Sequence, residues 1–172
     1  VDAVVMGEGE DTFTELVSVT MSEKSVWQNP DILQKIDGLA FRVDGKMKLS
    51  KPRAPINDLD ALPFPAWDLI DYKKYWTLPK MAADGVRPYL TMFTSRGCPY
   101  NCIYCHQLFG KSFRSRSPES VVEETARLMR MGAESIEILD DISNFNPERF
   151  DRMLELMLEK NLHPVLSFPN AL

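Results

Sequence analysis

A short apolar, β-branched run over 1–6 ends in Gly7-Glu8-Gly9-Glu10, and behind it Phe13, Leu16 and Val17 recur at helical spacing after the acidic pair Glu10-Asp11. The pattern predicts a buried strand, a tight glycine turn and a helix whose first turn is favoured by negative charge. Such a unit suits an open parallel α/β sheet, whose ligands sit at the carboxyl ends of the strands. Two alternating runs, 39–43 and 46–49, then flank Asp44-Gly45, a strong hairpin signal with no chemistry of its own. Between 51 and 88 six of the twelve prolines break the periodicity, accompanied by Phe64, Trp67, Leu69, Tyr72, Tyr75 and Trp76. Repeated proline favours extended, stiff backbone, and a disordered linker is not so aromatic. The stretch reads as an ordered strap wrapping from a first domain onto a second, with its aromatics in packing roles.

The period changes again at 89–93, a short apolar strand. Ser117 and Pro118 open a helix that runs to about Met131, with Val121, Val122, Thr125, Leu128 and Met129 as its buried stripe and Gly132 as its stop. A second strand follows at 135–139. A helix opened by Asn146-Pro147 carries Phe150, Met153, Leu154 and Met157 inward, and a third strand lies at 165–168. Strand, helix, strand, helix, strand at this spacing predicts a parallel sheet with right-handed crossovers. The third strand would leave an open sheet edge. The domain reading is 1–36, a connecting hairpin and strap over 37–85, and a second domain over 86–172. Both ends read as cut within or beside a strand, so the fold is expected to be part of a larger one.

Composition narrows the class without naming a function. The 172 residues are 44% hydrophobic and 26% charged, the balance of a globular protein. A net charge of −5 gives no electrostatic case for nucleic acid or a membrane surface. No apolar run is long enough to span a bilayer, and no signal peptide is visible. Unpaired cysteines in a close cluster suit a reducing, cytoplasmic setting.

That cluster is the main chemical candidate. All three cysteines, Cys98, Cys102 and Cys105, fall in one CxxxCxxC stretch at the carboxyl end of the first strand of the second domain. Three thiolates so close make a metal site. A 4Fe–4S cube wants a ligand on each iron, so this set would leave one iron open, as suits an enzyme that binds a small molecule there. Structural zinc closes with four ligands, and His106 would be the fourth, but consecutive Cys105 and His106 strain one chelate. A disulfide would leave one cysteine over. Asp140 and Asp141 end the second strand on the same rim. Strand alternation would turn only one of them inward. Lys111, Arg114 and Arg116 form a basic loop suited to carboxylates. Asn170 ends the third strand, and His163 reads as an exposed loop residue.

The segment 94–106, TSRGCPYNCIYCH, with an aromatic directly before its last cysteine, resembles the radical S-adenosylmethionine (SAM) superfamily. The resemblance implies that Cys98, Cys102 and Cys105 hold a 4Fe–4S cluster whose open iron is chelated by the amino and carboxylate groups of SAM. It also implies that Tyr104 packs beside the adenine. LDDISNF matches the family's position for a carboxylate that accepts from the SAM amino group, which points to Asp140 or Asp141. RSRSPESVVEE resembles the segment after the cluster and favours Arg116 as a SAM ligand, with Asn170 as a further candidate. DAVVMGEGEDTFTEL resembles the last strand–helix unit of the cobalamin-binding domain that precedes many radical SAM domains, so Gly7, Glu8 and Gly9 would line the cofactor's nucleotide tail. LDALPFPAWDLIDYKKY resembles the strap between those domains.

The implied fold is α/β: the first three βα units of a partial (β/α)6 barrel, behind the last βα unit of a Rossmann-like domain and an extended strap. The implied activity is that of a cobalamin-dependent radical SAM enzyme, a methyltransferase or an oxidative cyclase, with cobalamin held in the full-length protein. It would act on a small-molecule substrate and draw electrons from a reductant such as flavodoxin or ferredoxin. The alternatives are a non-catalytic cysteine metal-binding module and an inactive truncated fragment.

Overall fold

The computed structural model describes residues 2–81, 87–105 and 108–170. They form two compact units that divide between Ile56 and Asn57. The division falls past the hairpin, not at 36/37, because the hairpin pairs with the first strand.

The first unit contains β1 (Ala3–Val5), α1 (Glu10–Ser22), α2 (Pro30–Leu33), β2 (Leu39–Val43) and β3 (Lys46–Leu49). Its sheet runs β1-β2-β3, with Val4 opposite Ala40 and Arg42 opposite Met47, both pairs antiparallel. The parallel pairing expected of β1 is therefore not seen among the described strands. Asp44 and Gly45 take φ of 49° and 75°, the left-handed pair that a tight two-residue hairpin needs to match strand twist.

Helix α1 forms where expected but buries a different face. Phe13 and Val17 are exposed, and Thr12 and Leu16 face the sheet. Thr12 Oγ1 donates to the Asp37 carbonyl at 2.9 Å and lies directly under Gly38, where a Cβ would sit 2.8 Å from that oxygen. This contact sets the helix rotation, and Leu16, one turn on, joins Val26, Leu33, Ile36, Leu39 and Phe41 in the core.

In the second unit the strap folds into short 3-10 turns at Leu59–Ala61, Trp67–Leu69 and Tyr72–Thr77. Trp67 and Tyr72 pack against the core, and Tyr72 Oη donates to the Met131 carbonyl at 3.1 Å. Beyond it come β4 (Tyr89–Met92), β5 (Ser95–Arg96), β6 (Arg114–Ser115), α3 (Pro118–Arg130), β7 (Ser135–Ile138), α4 (Pro147–Glu159) and β8 (Val165–Ser167). Strands β4, β7 and β8 form a parallel sheet in that order, with Leu90 beside Ile136 and Ile136 beside Leu166.

Ser117 caps α3 by accepting from the Ser120 N–H at 3.2 Å, and Asn146 caps α4 by accepting from the Arg149 N–H at 3.0 Å. One sheet face, Leu90, Met92, Ile136 and Ile138, packs with Val121, Val122 and Leu128 of α3 and Met153, Leu156 and Met157 of α4. Because side chains alternate along a strand, the register sets Thr91, Glu137 and Ser167 side by side on the opposite face. Met129, expected on the buried stripe of α3, is only half-buried, and Glu124, not expected there, is 1% exposed. No helix among the described residues is long and apolar enough to cross a membrane.

Leu128 of α3 is fully buried in this core, so Leu128→Ala is expected to cost about 2–5 kcal/mol. Leu158→Ala, at a side chain 65% exposed, should change stability by less than about 0.5 kcal/mol. Denaturant midpoints of the two variants measure both.

Candidate functional site

The chain leaves β4 at Met92 and enters a narrow neck. Ser95 and Arg96 pair antiparallel with Ser115 and Arg114. The Arg116 N–H donates to the Thr94 carbonyl at 2.9 Å, and the Cys98 N–H to the Gly110 carbonyl at 3.1 Å. Gly97 permits this close approach. Its φ is +87°, and a Cβ there would lie 2.3 Å from the Ser112 carbonyl oxygen.

The neck presents the cysteine loop beyond the carboxyl end of the parallel sheet. Cys98 sits at the neck, half-buried, while Cys102 and Cys105 are exposed on the loop, and none is in a disulfide. The Cys105 N–H donates to the Cys102 carbonyl at 3.2 Å, a single turn between the last two cysteines. Among the described residues no three His, Cys, Asp or Glu side chains converge as a ligand set. The fold thus puts the three thiols on one exposed excursion without closing them around a point. Their chemistry, three soft sulfur donors with two facing solvent, fits an iron–sulfur cluster. His106, considered above as a zinc ligand, lies outside the described residues. Tyr104 is 89% exposed, whereas Tyr100 packs edge-on against Phe145 with ring centroids 6.3 Å apart.

Both aspartates turn towards the neck. Asp140 Oδ1 accepts from the Thr94 N–H at 2.6 Å, and its Oδ2 accepts from Thr94 Oγ1 at 2.5 Å and Ser95 Oγ at 2.7 Å. Asp141 Oδ2 accepts from the Gly97 N–H at 3.1 Å. The expected division of the pair onto opposite faces does not occur, because β7 ends at Ile138 and strand alternation no longer governs 140 and 141. Burial pushes the Asp140 carboxyl above its ordinary value, against the donors from Thr94 and Ser95. Asn170 Nδ2 donates to the Leu139 and Asp140 carbonyls, both at 3.1 Å, which places the end of β8 on the same rim.

Arg116 is occupied inside the protein. It pairs with buried Glu124, donates to Ser120 Oγ at 3.2 and 3.0 Å, to the Ser120 carbonyl at 3.1 Å and to the Phe93 carbonyl at 3.1 Å, and lies over the Phe64 ring. All the N–H directions of a guanidinium are used by these partners. The residue expected to reach a ligand carboxylate instead ties the returning neck strand to α3. Arg114 donates to the Phe109 carbonyl at 3.1 Å, and Lys111 to the Tyr100 carbonyl, both within the loop.

Sequence reasoning missed Arg149. It is 8% exposed, donates through Nε to the Arg116 carbonyl at 2.7 Å and through Nη2 to the Thr94 carbonyl at 2.8 Å. Burial lowers its pKa, partly offset by the negative charge of Asp140. A signal did exist: Arg149 stands one turn before Met153 on the apolar stripe of α4. Glu124 occupies the same kind of place between Val121 and Leu128.

In the first unit Gly7 has φ +75° with open space around it, Glu8 Oε2 accepts from the Ile56 N–H at 3.2 Å, and Gly9 precedes α1. These residues stand at the carboxyl end of β1.

Residues 92–170 match the radical SAM superfamily. The chain is 40% identical over 152 residues to an uncharacterized methyltransferase of Pyrococcus horikoshii, covering 87% of this chain and 30% of that protein. It is 30% identical over 164 residues to the anaerobic magnesium-protoporphyrin IX monomethyl ester cyclase of Synechocystis, covering 94% of this chain and 30% of that enzyme. Among solved structures it superposes on the cobalamin-dependent SAM radical enzyme OxsB, with aqua-cobalamin and SAM bound, at a TM-score of 0.70 and 21% identity. That match covers 95% of this chain and 22% of OxsB, and it shows a shared fold. The chain spans 30% of the length of each of these two relatives.

The crossing at Gly97 leaves no room for a side chain. Gly97→Ala is expected to open the neck and cost more than about 2 kcal/mol, through left-handed backbone strain plus the clash. Equilibrium denaturation measures the cost. The Cys98 amide, bonded to Gly110 in the parent, should lose its protection from hydrogen exchange.

Proposed function

We propose, from the match of residues 92–170 to the radical SAM superfamily, that the full protein is a cobalamin-dependent radical SAM enzyme. Cys98, Cys102 and Cys105 would hold a 4Fe–4S cluster with one iron left for SAM. Held by those three thiolates, such a cluster would supply the one electron whose transfer to SAM yields methionine and a 5′-deoxyadenosyl radical able to take a hydrogen atom from substrate. The observation that carries the reading is the neck. It fixes the base of the thiol loop to Asp140 and Asp141 at the sheet's carboxyl end and leaves Cys102 and Cys105 exposed to receive a cluster.

The two aspartates take different parts. Asp140 has both oxygens committed to Thr94 and Ser95. Among the described residues Asp141 is engaged through Oδ2, by the Gly97 N–H, and its Oδ1 would accept from the SAM amino group. Asn170, whose Nδ2 donates to the Leu139 and Asp140 carbonyls, would offer its side-chain oxygen as a further acceptor on the same rim. Tyr104, exposed on the loop, offers an aromatic face to the adenine. In the first unit Gly7, Glu8 and Gly9 would approach the cobalamin tail, a reading supported by the cobalamin-bearing structural neighbour.

An uncharacterized methyltransferase and a magnesium-protoporphyrin IX monomethyl ester cyclase are both among the sequence relatives, which supports methyl transfer or cyclisation as the type of reaction. The electron donor would be a flavodoxin or ferredoxin, and the setting cytoplasmic, where thiols stay reduced.

Anaerobic reconstitution of the full-length protein is expected to give about four iron and four sulfide per chain, with the cluster lost on substitution of any one cysteine. SAM should then alter the electron paramagnetic resonance spectrum of the reduced protein, and 5′-deoxyadenosine should form. Stoichiometric zinc without a SAM effect would sink the proposal. Asp141→Asn should weaken SAM binding by about 10- to 100-fold, the worth of a hydrogen bond to a charged group. Its iron content should not change. Titration of the spectral change with SAM measures this.

A further inference from the structure

We infer that Arg149, with Asp140, is a positioning residue for the cysteine loop, holding closed the point where the loop leaves and rejoins the sheet. The importance of that point rests on the cluster reading above, but the clamp itself is a property of the chain.

Thr94 and Arg116 are the residues that bracket the neck. Every polar group of Thr94 is bound within the protein. Asp140 accepts from its N–H and its hydroxyl, and its carbonyl accepts from Arg149 Nη2 at 2.8 Å and from the Arg116 N–H at 2.9 Å. Arg149 Nε reaches across to the Arg116 carbonyl at 2.7 Å. One guanidinium therefore donates to a carbonyl on the outgoing strand and to one on the returning strand. Its planar fork sets the separation and angle of the two peptides, which the single point donor of a lysine cannot do.

The charges complement each other across Thr94. The carboxylate collects the N–H and O–H donors, and the guanidinium collects the carbonyl. Thr94 is 1% and Asp140 1% exposed, so solvent does not loosen either set.

Stability alone gives no reason for this arrangement. Buried opposite charges are commonly no more stabilising than apolar residues of the same volume, and Arg149 and Asp140 act through Thr94 rather than in an ion pair with each other. Arg149 Nη1 is also buried without a partner among the described residues. What the pair supplies is geometry. Arg149 comes from the first turn of α4, where Asn146 caps its backbone N–H. Asp140 follows β7 and is held in turn by Asn170 beyond β8 through its carbonyl. The placement of Cys98 relative to the sheet is thus set by the α4 crossover, whose arginine lies beneath the loop.

The test uses the full-length protein freed of metal, with Arg149→Lys and Arg149→Met, and follows thiol alkylation at each cysteine and amide exchange segment by segment. Arg149→Met should speed alkylation of half-buried Cys98 by ~10-fold or more, by lowering the free energy of local opening. Cys102 and Cys105, already exposed, should react at the parent rate. Exchange should rise at 94–98 and 110–116 while the amides of β7 keep parent protection, and lysine should restore part of the effect. An unchanged Cys98 rate would overturn the inference, as would exchange rising equally across the sheet, the mark of a purely structural loss. A protein that shows the local pattern yet takes up no iron on reconstitution keeps the clamp and removes the cluster assignment, so the two failures are distinct.

Discussion

The hydrogen bonds from Thr94 to Asp140 are the constraint on which the site depends. They join the end of β4 to the end of β7 at the level where the parallel ladder stops, and so convert a sheet edge into a platform. Without them Thr94 would keep the hold of Arg149 and of the Arg116 N–H on its carbonyl but lose its tie to the end of β7, and the antiparallel neck of β5 and β6 would be anchored less firmly to the sheet. Asp140 tolerates burial because it accepts from three donors at short range, 2.5 to 2.7 Å. Unpaired, a carboxylate so deep would be costly enough to take up a proton instead.

The second unit uses its two sheet faces differently. The face towards α3 and α4 is apolar and close-packed and supplies the stability. The other carries Thr91, Glu137 and Ser167 in register. Polar groups that cross into the packed side do so as bolts. Glu124 holds Arg116, and Arg149 holds Thr94 and the carbonyl of Arg116. Both bolts end at the neck, so the core and the thiol loop are mechanically one assembly. The exposed tip, by contrast, is tied among the described residues by a short turn, the Tyr100 ring contact and the Lys111 bond to the Tyr100 carbonyl, which leaves two thiols accessible.

The first unit follows a different logic. Its strand and helix are joined by Gly7-Glu8-Gly9, but the hairpin supplies the neighbour of β1, and Thr12 under Gly38 decides which face of α1 is buried. Phe13, Val17 and Met21 remain exposed along one side of that helix. Periodicity alone cannot choose between two plausible apolar faces of a helix when a tight polar contact fixes the rotation.

Local physics made much of this chain legible in advance. The caps Ser117 and Asn146, the left-handed turn at Asp44-Gly45, the strands 89–93, 135–139 and 165–168 and the CxxxCxxC spacing each depend on near neighbours in sequence, and each could be read without coordinates. The parallel order β4-β7-β8 followed from the alternation of strands and helices. The contacts between segments distant in sequence could not be read this way. That the hairpin completes the β1 sheet, that Asp140 and Asp141 both turn towards the neck and that Arg149 closes the clamp are decided by contacts far apart in sequence, 33 to 55 residues for Arg149 and 44 to 46 for the aspartates, whereas Arg116 is consumed by Ser120 and Glu124 only 4 and 8 residues further on. A sequence pattern records which side chains are available and which face they share. Only the folded chain decides which of them already have partners, and so which remain free to meet a ligand.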